Sequence, residues 1–255
     1  MSDQEAIIRV EDFTAGYDGE VLLDHIHFEV RPGEVFVILG GSGCGKSTLL
    51  KHLIGLYQPM SGRILIGGDD IVTATGDARL AILRRFGVMY QSGALFGSMT
   101  LLENVRLPLE EFTRLDEEAR NLTALMKLDL VGLRPFAGHL PAEISGGMQK
   151  RAGIARAMAL DPAILFLDEP SAGLDPITSA ELDQTILRLA RNLGVTFVVV
   201  THELPSIFTI ADRVIMLDKA RRGIVAEGQP QKLRDHSPDP WVRNFFNRHV
   251  EGTSP

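Results

Sequence analysis

"VFVILGGSGCGKSTLLKHLI", residues 35–54, runs from an apolar segment through a glycine-rich loop into a helical pattern. VFVILG reads as a buried strand, and Leu49, Leu50, Leu53 and Ile54 recur at helical spacing across residues 47–56. Between them GGSGCGKS, residues 40–47, fills every fixed position of the phosphate-binding P-loop pattern. The physical need is specific: successive N–H groups must turn inward around phosphates, glycines let the backbone approach closely, and the following helix adds its positive end. Gly40, Gly41, Ser42, Gly43, Cys44, Gly45, Lys46, Ser47 and Thr48 are therefore the candidate nucleotide contacts. Lys46 is expected to reach the β and γ phosphates, Ser47 to offer its hydroxyl to Mg²⁺, and Thr48 to donate to the α phosphate. The competing reading is a glycine turn that merely joins strand to helix. Cys44 reads as a small filler rather than a reactive thiol.

Away from the loop, composition narrows the function classes. The 255 residues carry a net charge of -7, which leaves no basic footprint for gripping nucleic acid. A single cysteine forbids an internal disulfide and points to a reducing compartment. The acidic start MSDQEAIIRVED lacks the segments of a secretory signal, so an unsecreted chain is expected. VFVILGG and VTFVVVT are strand-sized and fall well short of the roughly 20 apolar residues a membrane helix needs.

Residues 7–34 alternate apolar and polar side chains between turn signals, as short antiparallel strands do. Further β-type runs are GRILIGG, RFGVMYQ, AILFLDE, TFVVVTH and DRVIMLD, several separated by helical patterns, which predicts a parallel core sheet with crossover helices. Strand signals vanish between Ser92 and Leu160, where TLLENVRLPL and RNLTALMKLDLVGL read as helices of an inserted lobe. The expected fold class is α/β: a P-loop NTPase core with a mainly parallel sheet, an N-terminal antiparallel β subdomain and an inserted α-helical subdomain. The chain is read as one domain over 1–255, with core and β subdomain at 7–91 and 161–235, the helical subdomain at 92–160 and a tail at 236–255. The acidic run LEEFTRLDEEARN is expected to be a solvated helix face. WVRNFFNRHV places Trp241 and Phe245 one turn apart on an amphipathic helix that docks on the chain's own core or on a neighbour.

ILFLDEP, residues 164–170, is an apolar strand ending in two carboxylates, at the end of an open α/β sheet where ligands bind. Beside a P-loop, Asp168 is expected to hold Mg²⁺ and Glu169 to act as general base toward water. ISGGMQKRAGIARAMALDP, residues 144–162, begins with a serine-glycine-glycine turn and carries Met148, Ala152, Ala155 and Ala159 on one face. Ser145 with that helix start makes a second anion site; a capped helix needing no ligand is the alternative.

Taken together these segments resemble the ATP-binding subunits of ABC transporters, from about Ile7 to Arg234. The family's glutamine loop matches YQSG at Gln91, its signature matches Ser145, Gly146 and Gly147, and SAGLD (171–175) follows the carboxylates. Its switch histidine matches His202 in VVVTHE, and Tyr17 in AGYDG looks like the aromatic on which adenine stacks. The resemblance implies two copies facing head to tail around two ATP, with Ser145, Gly146 and Gly147 acting on the partner's nucleotide. It further implies Lys46, Glu169 and His202 in catalysis, and Ser47, Gln91 and Asp168 around Mg²⁺. One departure is Met148, where the signature commonly carries a glutamine, because methionine cannot make the same hydrogen bond.

Residues 89–109, MYQSGALFGSMTLLENVRLPL, are more specifically similar to the MlaF-type ATPases of bacterial Mla/Mce phospholipid-transport systems. That likeness implies phospholipid transport between bacterial membranes from the cytoplasmic side of the inner membrane. Its implied partners are a second copy, an MlaE-like integral membrane permease, an MlaD-like MCE lipid-binding protein and an MlaB-like STAS-type protein, with no nucleic acid. Leu95, Phe96 and Met99 would line the groove for a permease coupling helix, or simply be lobe core. The chain stops soon after Val250, so the grip of a longer tail on the opposite subunit is not expected. A soluble ABC-type ATPase for cluster assembly is the alternative function. Glu169 and His202 argue against a scaffold that binds nucleotide without hydrolysis.

Overall fold

The computed structural model describes residues 5–17 and 19–248. Its elements in chain order begin with β1 (Ile8–Tyr17), β2 (Glu20–Val30), β3 (Val35–Gly40), α1 (Lys46–Leu53), β4 (Ser61–Ile66), β5 (Asp69–Asp70), α2 (Gly76–Leu83) and β6 (Phe86–Met89). Helices α3 (Leu101–Phe112), α4 (Glu117–Leu130) and α5 (Gly146–Ala157) precede β7 (Ile164–Asp168). Then come α6 (Pro176–Leu193), β8 (Thr196–Val200), α7 (Leu204–Ile210), β9 (Arg213–Asp218), β10 (Gly223–Gly228), α8 (Pro230–His236) and α9 (Pro240–Asn247).

A six-stranded sheet runs in the order β10-β9-β3-β8-β7-β6, parallel throughout except for the antiparallel edge strand β10. All six residues of β3 and all five of β8 are buried, because both faces of the sheet are covered. Alternate side chains serve two cores. Val37, Leu39, Leu165, Leu167, Phe197 and Val199 join one with the lobe helices and α6, while Phe36, Ile38, Phe166 and Val198 join the other with α1 and the antiparallel sheet.

GRILIGG departs from the reading that gathered it with the core strands. As β4 it lies in a separate four-stranded sheet of order β2-β1-β4-β5, pairing antiparallel with β1 in the register Ile8↔Ile66 and Val10↔Ile64. An apolar run declares burial but not its neighbours, and Ile64 and Ile66 are buried beneath α1 rather than between two helical layers.

Helices α3 to α5 enter the chain between β6 and β7, which are parallel neighbours. Thr100 and Glu103 form a reciprocal cap at the start of α3. The acidic run is not one helix face. It spans the end of α3, a turn and the start of α4, where Thr113 Oγ1 donates to the Leu109 carbonyl at 2.6 Å and Asp116 caps α4 by accepting the Ala119 N–H at 2.8 Å. That cap starts α4 at Glu117, ahead of the expected Arg120. At the C-terminal side, Asp239 caps α9, which docks on the chain's own core through buried Val242 and Phe246, with Trp241 and Phe245 half-buried beside them. Residues 249–255 of the expected tail lie outside the described residues.

Candidate functional site

Register brings the candidate residues to one edge of the large sheet. Ile38 and Asp168 both pair with Val200, so the P-loop after β3, the carboxylates ending β7 and His202 after β8 emerge side by side at the carboxyl ends of the strands. The P-loop turns on Gly40 (φ 150), Gly43 (φ 71) and Gly45 (φ 102). A Cβ at Gly40 would stand 2.4 Å from the Leu217 carbonyl oxygen, which no side chain survives. Gly41, Ser42, Gly43 and Ser47 are exposed along the loop. Lys46 Nζ donates to the Gly40 and Gly41 carbonyls at 2.9 and 3.0 Å, so the ammonium lies over its own loop. Cys44 is buried and burial pushes its thiol up, the condition of an inert filler.

Tyr17 stands across α1 from the loop. Its hydroxyl lies 3.0 Å from Thr48 Oγ1, its ring is 48% exposed, and Tyr57 meets it edge-on at 6.2 Å. One end of the ring is thus anchored while a face stays open.

Glu169 adopts φ 45, a left-handed conformation uncommon outside glycine, and its N–H donates to the Val200 carbonyl at 2.8 Å. Its Oε1 lies 2.8 Å from His202 Nδ1, while Oε2 is buried without a partner. Asp168 Oδ1 is likewise buried and unpartnered. Burial, then the neighbouring Glu169, push the Asp168 carboxyl above the usual range; Lys51, Lys46 and Lys150 pull against that rise. Two buried carboxylate oxygens without a protein partner, beside ammonium groups, leave room for a ligand's polar atoms at this end of the sheet.

Gln91 is exposed in the turn after β6, and its carbonyl accepts from Lys150 Nζ on α5. An open cleft of about 560 Å³ is lined by Tyr90, Gln91, Gly146, Lys150 and Asp168 among others. Sequence reasoning missed Lys150. Its signal was a lysine at helical spacing between Gly147 and Ile154, all three buried. Burial pulls the Lys150 ammonium below its usual range, while Glu169 and Asp168 hold it up. Asn104, also missed, is fully buried and ties the following loop: Nδ2 donates to the carbonyls of Phe96, Met99 and Thr100 at 3.0 to 3.1 Å, and Oδ1 accepts the Phe96 N–H at 2.8 Å. In that loop Phe96 is half exposed, Leu95 packs on the core, and Met99 is partly buried.

Ser145 caps α5 by accepting the Met148 N–H at 3.3 Å, and Gly146 and Gly147 open the helix. Met148 itself packs against the core. Among the described residues no hydrogen bond joins residues 145–147 to residues 40–48, while Gly146 shares the open cleft with Gln91 and Asp168.

Residues 23–172 match the ABC transporter family. The chain belongs to the ABC transporter family. It is an ATP-binding, ATP-hydrolysing subunit of that family. The intermembrane phospholipid transport system ATP-binding protein MlaF of Escherichia coli strain K12 is 41% identical over 248 residues, 97% of this cassette and 90% of the relative. The probable ribonucleotide transport ATP-binding protein mkl of Mycobacterium leprae is 42% identical over 240 residues, 94% of this cassette and 68% of the relative. Among solved structures, the dimeric post-hydrolysis ATP-binding cassette MJ0796, bound to ADP and Pi, has a TM-score of 0.78 at 32% identity, covering 87% of this cassette and 98% of that one. The cassette cbiO1 from Clostridium perfringens, part of the ABC transporter complex cbiONQ, has a TM-score of 0.83 at 28% identity over 91% of each chain.

Proposed function

We propose that two copies of this ABC cassette close head to tail on two Mg²⁺-ATP and drive a separate membrane permease that moves phospholipid between bacterial membranes. The observation that carries the hydrolytic part is the carboxylate pair ending β7, with Asp168 Oδ1 and Glu169 Oε2 buried and unpartnered at the mouth of the P-loop. Unpaired oxygens of this kind in a native fold call for a ligand.

In this reading Tyr17 stacks on adenine, and the backbone of Gly40 to Thr48 cradles the phosphates. Lys46 exchanges the Gly40 and Gly41 carbonyls for β and γ oxygens. Ser47, Gln91 and Asp168 would hold Mg²⁺, which would supply positive charge to offset that of the phosphates. Glu169 takes the proton of the attacking water on Oε2 while Oε1 stays engaged with His202, whose Nε2 reaches toward the γ phosphate. Ser145, Gly146 and Gly147 of one copy complete the enclosure of the other copy's nucleotide, because a capped helix start with open N–H groups attracts an anion.

Among the described residues no helix is long and apolar enough to cross a membrane. The proposed permease is MlaE-like and seats a coupling helix near Phe96, with an MlaD-like MCE protein and an MlaB-like STAS-type protein completing the complex at the cytoplasmic face of the inner membrane. Two relatives carry different cargoes in their names; MlaF, matched across more of both chains, favours phospholipid over ribonucleotide. The test is purification from detergent-solubilised membranes, reconstitution of what co-purifies, and transfer of labelled phospholipid between vesicles. ATP-dependent transfer that disappears with Glu169→Gln is expected. Transfer indifferent to ATP, or ATP-driven uptake of ribonucleotide instead, overturns the cargo.

A further inference from the structure

The segment after α1 closes back on its own helix. Gly55 takes a left-handed turn (φ 72), and the Leu56 and Tyr57 N–H groups both donate to the Lys51 carbonyl, at 2.8 and 3.3 Å. The Met60 N–H then donates to the Thr14 carbonyl on β1 at 2.9 Å, so the backbone on both sides of Tyr57 is pinned. The Tyr57 side chain, 42% exposed, ends a row of rings that begins in the core. Fully buried Phe13 meets buried His52 edge-on at 5.1 Å, His52 meets Tyr57 at 5.7 Å, and Tyr57 meets Tyr17 at 6.2 Å with their planes at 90°. His52 is itself fixed, with Nδ1 2.8 Å from the Thr48 carbonyl oxygen, and Lys51 Nζ stands over the Tyr57 ring at 5.4 Å.

We propose that Tyr57 is a positioning residue for Tyr17: from the end of α1 it fixes the plane of the ring on which the nucleotide base stacks. The inference rests on the reading of Tyr17 as that ring.

The contact of the Tyr17 hydroxyl with Thr48 Oγ1 at 3.0 Å does not set this plane. A tyrosine hydroxyl oxygen lies on the axis about which the ring turns relative to Cβ, so the ring can rotate while that oxygen stays where it is, and this torsion has broad wells. An edge-on neighbour opposes the rotation, and such a pair contributes beyond the area it buries. Elsewhere Tyr17 borders a cavity of about 280 Å³ shared with Glu20, Val21, Leu22, Lys219 and Arg222, so among the described residues Tyr57 is its aromatic brace. A base that stacks on a plane already set does not have to order the ring on binding, and the saved cost appears as affinity. All the Tyr57 contacts are to its ring rather than its hydroxyl, so phenylalanine should serve in its place.

The test titrates the full chain with MgADP, which carries the base and is not turned over, and measures steady-state MgATP hydrolysis alongside. Tyr57→Ala should raise the Kd for ADP and the KM for ATP together by about 3- to 10-fold, with kcat at saturating ATP changed less than about 2-fold. Tyr57→Phe should restore the parental values. Because Tyr57 acts through Tyr17, adding Tyr57→Ala to Tyr17→Ala should weaken binding no further. Parental affinity in Tyr17→Ala would fell the reading of Tyr17, and this inference with it. Weakened binding in Tyr17→Ala beside parental affinity in Tyr57→Ala overturns the role of Tyr57 alone. So does a full second loss in the double variant, or a fall in kcat of Tyr57→Ala larger than its rise in Kd. Should Tyr57→Ala fail to fold, Tyr57→Leu, which keeps apolar bulk without a ring edge, takes its place.

Discussion

Glu169 carries two demands in one side chain. Its backbone is left-handed, His202 Nδ1 lies on one carboxylate oxygen, and the other is buried without a partner, as the proposed role of base requires. Glu169→Gln preserves that shape and removes the base, so turnover should fall about 10²- to 10⁴-fold while ATP still binds; steady-state hydrolysis beside a nucleotide-binding titration checks both halves. Parental turnover would remove Glu169 from the role of base. Asp183, 5% exposed on α6, makes a thermodynamic prediction. Its folded carboxyl titrates at about 6 against an ordinary 3.8, so the folded state keeps a proton that the unfolded chain releases. Stability is therefore lost as pH rises through this window, and remains lost above it. Asp183→Asn should stabilise the protein at pH 8 by up to about 3 kcal/mol and by little at pH 4, measured by urea denaturation at both.

The segment between β6 and α3 shows how an element without regular structure is held. Lys150 grips it at Gln91, Arg156 at Gly93 and Ala94, and Asn104 at Phe96 through Thr100. Three side chains of the lobe thus tie the segment after β6 to α3 and α5. Replacing Asn104 by alanine leaves the Met99 carbonyl and the Phe96 N–H without their partner, while the Phe96 and Thr100 carbonyls keep backbone donors; a loss of about 1 to 3 kcal/mol is expected in chemical denaturation. An unchanged midpoint would mean that water replaces those bonds. The cap at Asp116 was missed, because the acidic run around it was expected to be one helix face, although TLLE at 100–103 does carry the spacing of the reciprocal cap that forms. Asn104 was not readable, because an asparagine inside a helix announces nothing until the loop it binds folds back over it.

For the molecule as a whole, the proposed head-to-tail closure makes the single chain supply half of each nucleotide enclosure. In the presence of ATP, Glu169→Gln should shift from monomer to dimer in light scattering, and the same variant with Ser145→Arg added should stay monomeric. A dimer in both would place the interface elsewhere. The chain alone made legible the strands β3, β7 and β8, because a strand buried on both faces must be apolar throughout, and the P-loop, because close approach to phosphate demands glycine. Asp168 and Glu169 were visible as carboxylates ending an apolar strand beside a P-loop, whereas Tyr17, Gln91 and His202 stood out only through the resemblance to the ABC ATP-binding subunits. Folding alone assigned β4 to the antiparallel sheet, brought Lys150 to Gln91 across 59 residues, and buried Asp183 on α6. Local sequence sets which faces are buried and where backbone must bend; the worth of a polar side chain inside depends on which distant donors and acceptors the packing delivers to it.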